Sequence, residues 1–445
     1  MSDGPILPGL EPFVASKPVK KRVSKASSQY LWLPGNDPPK LAEHSLAKHR
    51  IIRAYLEKYV AILATNPVVE QLKLSLVDGF SGGGAYLHPT SGERISGSPL
   101  LMLESMDLAE SKANEGKTKP FRLDADYYFI EKQKPTVEYL KCEIASCESA
   151  HDKSDSINIL RGRFSKHLDA VIKSIQAKGR ANRAIFLLDQ YGYTDVTLAN
   201  MRKIFKALPN AEVILTFAVD WLADFINETD SFETALRNLE LTHKKDDFVR
   251  IRQEHAKDWR PTVQHLLHRH FYERSGADCY TPFFIHSSES HRAYWLLHFS
   301  KHSTARNAMV DLHWGMQNHF QHFGKAGFGM LLGYDPRRFS ETPMLPFGFD
   351  GDAEALAKQS LLDEVPEQVS RFGELVSFRH FFNAVVNDTP ATKRMIAEAI
   401  SRLSKESEIE VFSKYRKQRR GGVILNDDDL IQLPQTRTFL PPLNS

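Results

Sequence analysis

The chain has 445 residues, 42% of them hydrophobic and 25% charged, with a net charge of +3. That balance excludes a wholly disordered chain, and no apolar run reaches the roughly 18 residues that would cross a bilayer. Three cysteines, Cys142, Cys147 and Cys279, exclude a disulfide framework or a four-thiolate zinc site, so a reducing cytoplasm is expected.

Residues 1–40 read as a basic tail. Lys17, Lys20, Lys21, Arg22 and Lys25 fall within nine residues that contain no acid. Such a segment serves equally as a solubilising arm or as an arm that seeks phosphates. A helix is expected from about Ala42, because Ile52, Tyr55, Leu56, Tyr59, Val60 and Leu63 recur at helical spacing. LKLSLVDGF (72–80) then reads as a buried strand running into SGGGAY. Ser98 is expected to cap a helix whose first turn carries Pro99.

From there strands and helices alternate. Strand-like YYFIEK (127–132), INILRG (157–162), AIFLLDQYG (184–192) and EVILTFA (212–218) are each followed by a helical stretch. That pattern predicts right-handed crossovers and a parallel sheet with helices on both faces. FFIHSS (283–288) and AYWLLHFSKH (293–302) lie close enough to form an antiparallel pair at its end. The expected layout is an α/β Rossmann-like domain over residues 41–334, with a helical insertion at about 221–275. A linker follows over 335–360. Residues 361–445 predict a small winged-helix-like α+β domain: two helices, then two strands around a basic Gly-Gly turn.

The densest chemical signal is Asp78-Gly-Phe80-Ser-Gly82-Gly-Gly84, directly after a strand. Glycines there let backbone approach a ligand, and ligands of open parallel sheets gather at the carboxyl strand ends. Glu131 ends the next strand, where a carboxylate accepts two ribose hydroxyls. No G-K-[ST] follows the glycines, which excludes a phosphate loop, and the order differs from the dinucleotide fingerprint G-x-G-x-x-G. Twelve of the eighteen histidines fall between His243 and His322, yet no carboxylate or thiolate completes a metal-ligand spacing among them, so no metal is expected. Cys142 and Cys147 read as packing residues. Lys414, Arg416, Lys417, Arg419 and Arg420 place five cations in seven residues around Tyr415. On a wing they would meet nucleic-acid phosphates; otherwise they form a solvated hairpin end.

KHRIIRAYLEKYVAIL, LVDGFSGGGAY, GSPLLMLES, YYFIEK, LLDQYGYTDV and YWLLHFSKHSTARNAMVDLHW, in that order over residues 44–318, resemble the three-Cys-motif partner protein family, TcmP. That family is similar to class I S-adenosylmethionine-dependent methyltransferases. The resemblance implies a seven-stranded sheet with a reversed last strand, S-adenosylmethionine as cofactor, and a partner protein bearing a three-cysteine cluster like that of radical-SAM proteins. It implies that Asp78, Gly82 and Gly84 surround the cofactor's methionine part, that Glu131 holds its ribose, and that Phe80 also belongs to the cofactor site. Two positions depart from the pattern. Arg163 stands where an acid often reads the adenine amine, and Asp189-Gln190-Tyr191-Gly192 replaces Asp-Pro-aromatic-Gly. By analogy with the Asp-Pro-Pro-Tyr loops of amino-methyltransferases, Asp189, Gln190 and Tyr191 are the expected catalytic residues. The expected function is modification of nucleic acid together with a partner protein; the alternative is a non-catalytic scaffold that binds cofactor or nucleic acid.

Overall fold

The computed structural model describes residues 30–179, 183–189, 195–217, 229–254, 267, 270–286, 293–316, 320–322, 347–348 and 351–434. Helix α1 (Glu43–Ala64) leads to β1 (Gln71–Asp78), a short hairpin of β2 (Ala85–Leu87) and β3 (Arg94–Ser96), and α2 (Ser98–Asn114). Then come β4 (Arg122–Glu131), α3 (Lys134–Ala145), β5 (Ile157–Arg161), α4 (Phe164–Ala177), β6 (Arg183–Leu188), α5 (Leu198–Ala207) and β7 (Ala211–Phe217). Short helices Thr229–Asn238 and Lys245–Glu254 lie in the insertion before β8 (Cys279–His286), β9 (Ala293–Ser300) and the helix Ser303–Met316.

The central sheet runs β5-β4-β1-β6-β7-β9-β8, and β10 (Phe320–His322) and β11 (Phe347–Gly348) extend it. β5, β4, β1, β6 and β7 are mutually parallel, whereas β9 is antiparallel to both β7 and β8. The chain builds outward from β1 to β5, then returns to the other side of β1 to lay down β6 and β7. The order therefore reverses beside β1, where sheets of this kind form their binding crevice. A parallel run closed by a reversed strand in second-to-last place is the class I methyltransferase-like sheet.

Alternation along β1 splits the core between two faces. Leu74 and Leu76 join the cluster under α1 and α2, while Val77 joins the one under α4 and α5. Both faces are covered, which is why these strands read as continuous apolar runs.

The C-terminal unit comprises helices Gly351–Ser370, Phe378–Val385 and Lys393–Lys405, with β12 (Val376–Ser377), β13 (Glu410–Phe412) and β14 (Leu430–Gln432) in the order β12-β14-β13. The first of these helices begins inside the stretch expected to be linker. Ala353, Ala357, Leu361, Val365 and Val369 put a buried residue on one face every four positions, which drives it to pack. Leu361, Phe381, Ile396 and Ile431 belong to the same buried cluster as Ile52 and Leu103, so this unit shares a core with the sheet domain.

Three further expectations change. Residues 30–40 are not tail: Trp32 is buried, and backbone hydrogen bonds from Leu41 to Leu87 and from Leu87 to Pro39 extend the β2–β3 hairpin. Ser98 does not cap α2, because Gly97 takes the cap position. The basic turn is Ser413–Lys417, closed by a backbone bond between those two residues and by Arg416 at positive φ. Gly421 instead lies against the end of helix Lys393–Lys405, where a Cβ would stand 2.6 Å from the Ser404 carbonyl oxygen.

Candidate functional site

Three acids stand at neighbouring carboxyl strand ends: Asp78 closes β1, Glu131 closes β4, and Asp189 follows β6. Asp78 is fully buried. Its Oδ1 accepts from the Phe80 amide at 3.0 Å, and Oδ2 has no partner. Burial pushes its pKa up to about 7; the nearby Ser98 hydroxyl and the Phe80 amide oppose the rise, and Asp189 and Glu131 add to it. Ser81 beside it carries a second buried, unpartnered oxygen. Glu131 is half-buried and accepts from the Gln133 amide at 2.7 Å and from the amide of Gly82. Burial raises its pKa, and those amides hold it back.

The glycines each meet a demand of the protein itself. Gly82 and Gly84 hold φ of +58° and +86°, which side chains rarely adopt. Gly83 faces the indole of Trp32, whose nearest carbon lies 2.3 Å from where a Cβ would sit. The Trp32 Nε1 donates to the Ala85 carbonyl at 2.8 Å. Phe80 is partly buried against Phe164, with ring centroids 6.2 Å apart.

Asp189 bonds to a residue that sequence reasoning passed over. Lys48, buried on α1, donates to its Oδ2 at 2.6 Å. Burial alone would raise the pKa of Asp189, but the Lys48 ammonium outweighs it and holds the carboxyl below the ordinary range. The signal was present in the sequence: Lys48 stands four residues before Ile52, on the stripe that α1 buries. His49 packs near Tyr86, and burial together with the Lys48 charge depresses its pKa to about 4, so it is neutral at pH 7. Tyr30, Trp32 and Tyr86 form an aromatic corner beside it, with centroids 5.2–5.9 Å apart. Gln190 and Tyr191 lie outside the described residues, as do His265, His268 and His319. Arg163 pairs with Asp195 at 3.3 Å, and His270 is buried against the Leu239 carbonyl. Cys142 is exposed and so is not a packing residue; Cys147 is half-buried.

On the wing, Lys414, Arg416, Lys417 and Arg420 are exposed. Arg419 differs: it folds back onto the buried carboxylate of Asp429. Its charge is spent inside the fold.

The strand order and the converging acids define a methyltransferase-like α/β domain joined to a winged helix. A family model described as a GMT-like wHTH domain matches residues 333–416. No curated protein matches the chain. Among solved structures, a Legionella pneumophila protein of family-model DUF519 is 9% identical, with a TM-score of 0.33, over 57% of this chain and 85% of its own. A candidate O-methyltransferase from Klebsiella pneumoniae is 12% identical, with a TM-score of 0.28, over 65% and 93%. The Bacillus cereus O-methyltransferase in complex with SAH is 10% identical, with a TM-score of 0.26, over 55% and 80%. Similarity at these levels adds nothing to what the strand order defines. Among the described residues no helix is long and apolar enough to cross a membrane.

Proposed function

We propose that the chain is an S-adenosylmethionine-dependent methyltransferase acting on nucleic acid in the cytoplasm. In this reading it is a three-Cys-motif partner protein that works with a three-cysteine partner. The observation that carries the cofactor is the unpartnered Oδ2 of Asp78, buried at the end of β1 with the unpartnered Ser81 hydroxyl beside it. An orphaned buried carboxylate oxygen calls for a donor, and an α-ammonium is a strong one. Glu131 would accept the ribose hydroxyls on its free lone pairs.

Bound S-adenosylmethionine would supply an electrophilic methyl group. The protein's own work is alignment and desolvation. Asp189, fixed and kept ionised by Lys48, would accept a hydrogen bond from the amine of the target base. Gln190 would offer its carbonyl and Tyr191 a stacking face. The exposed wing cations Lys414, Arg416, Lys417 and Arg420 would neutralise phosphates, with Arg419 bracing the wing from behind.

One observation favours a non-catalytic reading. Every glycine of the loop has an internal reason to be glycine, and the Trp32 indole already covers Gly82 and Gly83. Transfer of a labelled methyl group to cellular nucleic acid, with the partner present, separates the two readings. The wild type should label a nucleic-acid fraction, and Asp189→Asn should lose that activity by a hundredfold or more while still binding cofactor. Equal transfer by both would remove Asp189 from the chemistry; transfer by neither would favour the scaffold.

A further inference from the structure

Between Leu31 and Asp37 only Trp32 is buried; its neighbours on both sides are exposed. The strap is fastened on both sides of Trp32. Backbone bonds of 2.9 Å join Leu41 to the Leu87 carbonyl and Leu87 to the Pro39 carbonyl, and the Tyr30 hydroxyl accepts from the Ala42 amide at 3.1 Å. Between that anchor and Trp32 lies an exposed turn, closed by Asn36 onto Leu33 and containing Gly35 at φ +84° with open space around it. The indole can therefore leave without breaking the anchor. It gives up one hydrogen bond, to Ala85, its packing against two glycines and its ring contacts with Tyr30 and Tyr86.

What it leaves behind is the face of the loop through which a ligand approaches backbone. The ring lies across Gly82 and Gly83, 3.0 Å and 2.3 Å from where their Cβ atoms would stand, so nothing else fits there. The two unpartnered oxygens, on Asp78 and Ser81, are shut in within the same turn.

We propose that Trp32 is a displaceable occupant of the glycine loop, and that the adenosyl amino acid binds by driving the residue 31–37 strap off it. This rests on the cofactor reading above. The strap holds the protein in a state that cannot bind, and its weight is subtracted from cofactor affinity. A first interaction that captures the strap, such as docking of the partner or nucleic acid, would raise that affinity. The cost follows the population of the open state: if fewer than about one molecule in ten has the strap off, apparent affinity is at least tenfold below the intrinsic value.

Calorimetric titration of the full-length chain with S-adenosylhomocysteine tests this. Trp32→Ala should bind at least tenfold more tightly than wild type. Trp32→Phe, which keeps an aromatic ring and loses the bond to Ala85, should fall between them and serves if the alanine variant fails to fold. Hydrogen exchange at residues 31–37 of the wild type should accelerate when ligand is added. Equal or weaker binding by both variants, or slowed exchange on ligand addition, would make Trp32 a fixed wall and overturn the proposal while leaving the cofactor reading intact. Binding by none of the three proteins would remove both.

Discussion

Lys48 and Asp189 lie 141 residues apart in sequence and 2.6 Å apart in space, joining the first turns of α1 to the carboxyl end of β6. The lysine side chain is 5% exposed and the aspartate 41%, so the pair is buried from one side only. Its geometry gives Asp189 a fixed position and a fixed charge before any ligand arrives.

Lys48→Met keeps most of the length of the side chain and removes the charge. Asp189 is held below its ordinary pKa, so this interaction stabilises the fold above the ordinary carboxylate value and is lost as pH falls through the lower, folded value. Breaking a fully buried pair costs about 3–5 kcal/mol. Solvent on the Asp189 side screens this one, and we expect roughly 1–3 kcal/mol at pH 7. Urea melts of both proteins should show that gap at pH 7, narrowing progressively as pH falls below the ordinary carboxylate value. A gap independent of pH would assign the loss to packing.

Asp78 works in the opposite sense. Its folded pKa of about 7 lies above the ordinary value of 3.8, so the carboxyl contributes most stability when protonated. That contribution falls away as pH rises toward and through 7. Asp78→Asn carries no charge to bury and should be more stable than wild type at pH 8, by up to about 4 kcal/mol, with no advantage at pH 4. Cofactor affinity should move the other way. A ligand ammonium needs the ionised carboxylate, so wild-type binding should strengthen from pH 6 to pH 8 and then level off. The Asp78→Asn variant should bind weakly at every pH. Calorimetry across that range checks both trends together.

The wing separates cations that look alike in sequence. Replacing Lys414, Arg416, Lys417 and Arg420 with Ala should leave the melting temperature nearly unchanged. It should flatten the salt dependence of nucleic-acid binding by about 0.7–0.9 log units for each phosphate that is no longer neutralised. Arg419→Ala strands the buried Asp429 carboxylate and should destabilise the fold by roughly 2–4 kcal/mol. An unchanged salt slope in the fourfold variant would make the wing a solvated surface.

Much of this was legible because it follows from local pattern. The apolar run ending at Asp78 and its counterparts ending near Glu131 and Asp189 fixed the parallel strands, and the short spacing of β8 and β9 fixed their reversal. What stayed hidden depends on partners distant in the chain. Trp32 sits in a stretch rich in Pro, Ser and Lys, and nothing local says that its ring meets Gly83. Lys48 stands visibly on the stripe that α1 buries, but nothing local names Asp189 as its partner. Arg419 is indistinguishable from Arg420 until the chain returns at Asp429. In each case the deciding neighbour is set by tertiary packing, which periodicity does not encode.

The two domains meet at a joint of buried hydrogen bonds. Arg306, on the helix Ser303–Met316, is fully buried and donates to the carbonyls of Ala391, at 2.8 Å, and of Thr389. Trp314, two turns later, donates to the Pro390 carbonyl at 2.8 Å. The Asn387 side chain accepts from the Tyr280 amide at 2.8 Å and donates to the Asp278 carbonyl. The segment that links helix Phe378–Val385 to helix Lys393–Lys405 is thus pinned, carbonyl by carbonyl, to the sheet domain. Those carbonyls have no water to turn to, and each one stranded costs about 1–3 kcal/mol. Arg306→Met approximates the volume of the side chain while removing both donors. It also removes a guanidinium that is costly to bury, which offsets part of the loss. We expect a net destabilisation of roughly 1–4 kcal/mol. More telling is the shape of the transition. Two units that share a buried cluster and this joint should unfold together in the wild type and give one calorimetric peak. With the joint cut, the C-terminal unit should melt first, as a separate shoulder. A single peak shifted to lower temperature would mean that the shared apolar core alone couples the domains. An unshifted peak would mean that Arg306 contributes nothing net to the joint.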